Sequence, residues 1–82
     1  KKALQDLAEQ ISKMSPALQP EEMQTIVYSV GKTHYSKERL REWFKMIYEV
    51  LFGDEQGPRM GSFISFYGIK ETVNLINKSI ND

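Results

Sequence analysis

Between Leu40 and Leu51 apolar side chains occupy most of a helix's circumference, and this constrains the fold more than any other feature of the chain. At about 100° per residue, Leu40, Trp43, Phe44, Met46, Ile47, Val50 and Leu51 spread widely around the wheel. Glu38, Arg41, Glu42, Lys45 and Glu49 share one polar arc of roughly 100°. A helix apolar over so wide an arc is expected to be the central element, contacted on several sides, with Trp43 and Phe44 in the core. Ser36 is a favourable N-cap residue, so the pattern predicts this helix over Lys37 to Phe52. Gly53 can take the left-handed conformation that ends it.

The remaining apolar residues also recur at helical spacing, and no stretch alternates with period two for long. Leu4, Leu7, Ile11 and Met14 form one stripe of a first helix, about Lys2 to Met14, which Ser15-Pro16 should end because a residue preceding proline disfavours the α region. Pro20 suits the first turn of a second helix, and Glu21 and Glu22 complement the positive end of its dipole. Met23, Ile26, Val27 and Val30 give its buried face, and Gly31 should weaken its last turn. Met60, Phe63, Ile64 and Tyr67 mark a short helix stopped by Gly68, and Ile69, Val73, Ile76 and Ile80 mark a final one. The expected fold is all-α, a compact bundle of four to five short helices forming one domain over residues 1–82.

Composition narrows the function. The 82 residues include no cysteine, which excludes disulfides and thiolate metal sites. A secreted domain this small usually needs staples, so a cytoplasmic location fits, and no apolar run approaches a membrane span. The chain begins at Lys1, as expected of a piece of a longer protein.

Candidate chemistry is sparse. The single histidine, His34, continues the Met23 to Val30 stripe and reads as a packed or helix-terminal imidazole. The carboxylate pairs Glu21-Glu22 and Asp54-Glu55 suit helix dipole and turn solvation better than metal binding. Lys13-Met14-Ser15 matches the start of a K-M-S-K-S loop, but Pro16-Ala17 follow and no H-I-G-H is present, so the match is coincidental. The chain itself is expected to hold no catalytic, cofactor or metal site.

Net charge is zero, which argues against a whole-surface nucleic-acid binder. The distribution is uneven, however. Five cations, Lys32, Lys37, Arg39, Arg41 and Lys45, face only Glu38 and Glu42 within their span, a local excess of three. Tyr28, opposite the apolar stripe and one turn before Lys32, has the character of a base-stacking or phosphate-contacting side chain. Its plainer reading is packing against the first or last helix with the hydroxyl in water. Gly57-Pro58-Arg59 forms a defined turn, and Arg59 at the start of a helix is unfavourable to the dipole. It is expected either to pair with Asp54 or Glu55 or to meet an RNA phosphate. Arg41 and Lys45 by default belong to a solvated mixed-charge face.

Three segments carry a family resemblance: P-E-E-M-Q-T-I-V-Y-S-V-G-K (Pro20 to Lys32), R-E-W-F-K-M-I-Y-E-V-L-F-G (Arg41 to Gly53) and G-P-R-M-G-S-F-I-S-F-Y-G (Gly57 to Gly68). From about Pro20 to Leu75 the chain resembles the C-terminal anticodon-binding helical domain of class I lysyl-tRNA synthetases. The glutamyl-tRNA synthetases share a looser version. The resemblance implies a module that recognises the anticodon arm of lysine tRNA, docked to a catalytic domain of the same parent chain that binds ATP and lysine. The RNA-facing candidates are Tyr28, Lys32, Lys37, Arg39, Arg41, Lys45 and Arg59. Two other readings stand beside it: a protein-binding helical module, and a helix-turn-helix DNA binder, disfavoured because no helix is strongly basic on one face.

Overall fold

Pro20 opens the helix on which most of the packing converges. In a computed structural model, which describes residues 2–14 and 19–81, the elements are α1 (Lys2–Ser12), α2 (Pro20–Tyr35), a 3-10 turn (Lys37–Arg39), α3 (Leu40–Phe52), α4 (Met60–Tyr67) and α5 (Ile69–Asn81). No strand occurs among the described residues. The backbone amide of Gln19 donates to Glu22 Oε1 at 3.1 Å, so Glu22 caps α2 directly as well as complementing its dipole.

α1, α3 and α4 each pack against both α2 and α5. The core combines Leu4, Leu7 and Ile11 of α1, Met23, Val27 and Val30 of α2, Trp43 and Ile47 of α3, Met60 and Ile64 of α4, and Ile76 of α5. Ile26 is only half-buried.

α2 also meets the 3-10 turn and is the central element, a correction to the sequence expectation that gave this place to the 40–51 helix. On α3 only Trp43 and Ile47 are fully buried; Phe44, Met46 and Tyr48 are half-covered, and Val50 is exposed. A wide apolar arc measures how much of a helix dislikes water, not how many neighbours reach it. Two of α2's contacts are invisible to apolar patterning because they run through small or polar residues. A Cβ on Gly31 would lie 2.7 Å from Trp43 Nε1 and 2.8 Å from Leu40 Cδ2, so its absence admits the indole. Gly31 lies inside α2, one turn before its end at Tyr35. Gln24, almost fully buried, accepts a 2.6 Å hydrogen bond at Oε1 from the backbone N–H of Gly61, closing an otherwise orphaned donor in the first turn of α4.

The expected single helix from Lys37 also needs correction. Ser36 does not cap: its φ of 78° and ψ of 160° place it where non-glycine residues are strained, and its side chain makes no cap hydrogen bond. It is the only residue between α2 and the 3-10 turn, so it must reverse the chain and cannot also take cap geometry. Gly53 ends α3 in the left-handed conformation as expected, and Gly68 ends α4. α1 ends at Ser12, and the expected Ser15-Pro16 stop lies outside the described residues. Among the described residues no helix is long and apolar enough to cross a membrane.

His34 sits exposed in the last turn of α2, not packed, with Nε2 2.9 Å from Asp6 Oδ2 of α1. The hydrogen bond from His34, then that from Gln10, holds the Asp6 carboxyl below its ordinary value, against a smaller opposing effect of burial. A folded-state pKa below the unfolded value of about 3.9 gives stability that is present above that value and lost as pH falls through the folded one. Asp6→Asn should therefore flatten the acid limb of a melting-temperature profile below about pH 5. The effect should be under about 1 kcal/mol, because both partners are partly open to water. Acid limbs of equal slope in the two proteins would show that the contact adds nothing.

Candidate nucleic-acid interface

The first turns of α3 bring cations and aromatic rings to one surface. Arg41 and Lys45 are four residues apart and rise on the same face. Together with Phe44, Tyr48, Glu55 and Gln56 they line an open groove of about 320 Å³. The Tyr28 ring of α2 meets Phe44 edge-on, with centroids 5.2 Å apart, and 42 % of Tyr28 is exposed. Its neighbour is thus α3, not the first or last helix. Burial raises the Tyr48 hydroxyl above its ordinary pKa, and the nearby Tyr28 phenol adds to the shift. The groove is consequently floored by aromatic rings and bordered by two cations. Gly57 packs closely on two of the rings: a Cβ there would come within 3.0 Å of Tyr48 Cδ1 and 3.2 Å of Phe52 Cδ2.

The seven candidates divide by their partners. Lys32 follows Tyr28 by one helical turn and is exposed, as are Lys37 in the 3-10 turn and Arg41. None of these three makes an ion pair among the described residues. Lys45 Nζ lies 3.5 Å from Glu55 Oε1, a pair open to solvent and so weakly held. Arg39 is engaged: Nε and Nη2 each donate to a different oxygen of Glu42 at 3.0 Å, and the guanidinium lies 5.4 Å from the Tyr35 ring centre. That fork keeps the Glu42 carboxyl below its ordinary pKa. Arg59, at the N-cap of α4, pairs with neither Asp54 nor Glu55, which corrects the first of its two expected roles. Asp54 instead accepts a 2.7 Å hydrogen bond from the Glu55 amide.

The structure thus joins Tyr28, Arg41 and Lys45 with Lys32 beside them, sets Lys37 and Arg39 at the corner before α3, and places Arg59 on a different helix. Phe44, Tyr48 and Gln56 were not among the candidates. The signal for Phe44 is the wide apolar arc, which by pattern alone reads as core; Tyr48 lies outside that arc, and Gln56, in the turn after Gly53, carries no such signal. A larger concavity than the groove, about 480 Å³ and mostly apolar, lies between the end of α1 and the start of α5 and brings together none of the candidates. Among the described residues no group of three or more His, Cys, Asp or Glu is placed to hold a metal ion.

The chain is 42 % identical over 80 residues to the lysine–tRNA ligase of Roseobacter denitrificans, covering 98 % of this chain and 15 % of that protein. It is 43 % identical over 74 residues to the lysine–tRNA ligase of Rickettsia felis, covering 89 % of this chain and 14 % of the relative. This chain matches one segment of the lysine–tRNA ligases. A third ligase, from Rickettsia bellii, is 38 % identical over 81 residues, again spanning 98 % of this chain but 15 % of its own length. No family model matches the chain, and no solved structure does. The chain therefore spans about 15 % of the length of the ligases it matches. These relatives carry the lysine rather than the glutamate name among the two synthetase types that the sequence suggested.

Proposed function

We propose that this segment is the tRNA-contacting helical module of a class I lysine–tRNA ligase, placed towards the C-terminus and directed at the anticodon arm. The parent enzyme would activate lysine with ATP in its other domains, in the cytoplasm, and this module would orient the tRNA. The observation that carries the reading is the groove on α3. Two cations stand over a floor of aromatic rings, and such a surface suits a nucleotide whose phosphate meets a cation and whose base meets a ring. The similarity to lysine–tRNA ligases supports tRNA as the source of that nucleotide. The local charge excess supports a confined patch on a chain whose net charge is zero.

The test is Arg41→Ala and Lys45→Ala in the full-length ligase, with lysine tRNA compared against an anticodon-swapped tRNA. Each removed phosphate contact should weaken binding of both tRNAs and make the salt dependence shallower by about one unit. Loss of Lys45 frees Glu55 in an exposed position, so stability should change little. Unchanged affinity and unchanged salt slope in both variants would remove the groove from the RNA-binding surface. Binding that ignores salt would point instead to a protein partner.

A further inference from the structure

Phe66 is 92 % exposed, although the other aromatic residue of the inner part of α4, Phe63, stacks on Tyr67 with centroids 4.9 Å apart. Seven residues separate Arg59, the N-cap residue, from Phe66, about two helical turns, so their backbone positions fall within roughly 20° of one line and some 10 Å apart along the axis. Ser62 lies between them on the same side and is exposed. No carboxylate occurs from Gly57 to Lys70, and Arg59 makes no ion pair among the described residues. This face therefore offers a bare ring, a hydroxyl and a free guanidinium, with no acid from its own segment to repel a polyanion.

A series of ring contacts joins α4 to the groove on α3. Tyr48, which lines the groove, leads to Phe52 at 6.1 Å, then to Phe63 at 4.9 Å and to Tyr67 at 4.9 Å, and Phe66 stands about 60° round α4 from Phe63 on its exposed side. We propose that the Arg59–Phe66 face of α4 is a second RNA site, where Phe66 stacks one unpaired nucleobase and Arg59 takes a neighbouring phosphate. The inference rests on the reading of the α3 groove as an RNA surface and extends it to the exposed side of α4. Stacking tolerates any base, because every base has a π-face, so the site adds affinity for an open loop rather than a choice of letter.

The experiment measures binding of lysine tRNA to the full-length ligase carrying Phe66→Ala, Phe66→Trp or Arg59→Gln, with the groove variants alongside. Phe66→Ala should weaken binding about tenfold while leaving the melting temperature unchanged, and Phe66→Trp should restore it. Arg59→Gln should make the salt slope shallower by about one unit. Weakening by Phe66→Ala that Phe66→Trp does not restore would overturn stacking. Full affinity in Phe66→Ala, with weakening by Arg41→Ala and Lys45→Ala, would overturn this inference and leave the groove intact. Full affinity in all of these variants would overturn both. Full affinity with a lowered melting temperature in Phe66→Ala would also overturn it, since the ring would then be covered by another part of the ligase.

Discussion

Trp43→Ala is expected to cost about 3–5 kcal/mol of folding stability. The side chain is completely buried, and its Nε1 donates a 3.0 Å hydrogen bond to the carbonyl of Val27 inside α2. The indole also fills the space over Gly31 and packs at a tilt against Tyr35, with centroids 5.6 Å apart. The truncation therefore empties the joint between α2, α3 and the corner that follows α2, where backbone on both sides limits collapse. Small domains hold about 5–15 kcal/mol in total, so the variant should be partly unfolded at physiological temperature. Urea unfolding followed by circular dichroism gives the number, since the variant has lost its only tryptophan. Trp43→Phe should fall between, because it keeps much of the volume and loses the hydrogen bond. A cost below about 1 kcal/mol for Trp43→Ala would mean that the indole is not the core anchor.

What could be read from the sequence follows the range of the interactions. Pro20, Gly53 and Gly68 act on their own backbone, and the helix boundaries they predict are the observed ones. Trp43 is core because it is large and lies within an apolar face, which pattern alone conveys. Phe44 shares that pattern but lies at its edge, and only the position of α2 decides that Tyr28 covers one side of it and the groove opens on the other. The charge excess from Lys32 to Lys45 was legible, yet its division was not. Arg39 is taken up by Glu42 within its own turn, whereas Lys45 meets a carboxylate ten residues away across the Gly53 turn. Arg59 was expected near that carboxylate because the two are close in sequence, but α3 reaches it first. Phe66 carried no warning at all. An eight-residue helix with Met60, Phe63, Ile64, Phe66 and Tyr67 is apolar nearly all round, and sequence cannot say which ring is left outside.

Gly61→Ala separates this tertiary information from local propensity, because the two predict opposite signs. On propensity alone, alanine inside a helix is worth about 1 kcal/mol more than glycine, and Gly61 has no positive φ to protect. In the folded protein the added Cβ would collide with the carbonyl oxygen of Pro20 and come within 2.8 Å of Gln24 Cβ and of the Gln24 backbone nitrogen. Two of those three atoms belong to the backbone of α2 and cannot swing aside, so α4 must retreat. Retreat lengthens the buried hydrogen bond from the Gly61 N–H to Gln24 Oε1 and leaves both groups without water. Overpacking of about 1–3 kcal/mol and a lost buried hydrogen bond of about 1–3 kcal/mol outweigh the gain in propensity. A net loss of about 2–4 kcal/mol is expected. At about 4–8 °C per kcal/mol, the fall in melting temperature should be easily resolved. Gly53→Ala is the matched control: nothing lies within 4 Å of its Cβ, and only the left-handed φ of 70° is strained, at about 1–2 kcal/mol. Gln24→Ala alone should cost about 1–3 kcal/mol by stranding the Gly61 amide, and in the double variant the two costs should add to less than their sum, because one hydrogen bond cannot be lost twice. A higher melting temperature for Gly61→Ala would show that α4 has room to move, and the close seating of α4 on α2 would have to be abandoned.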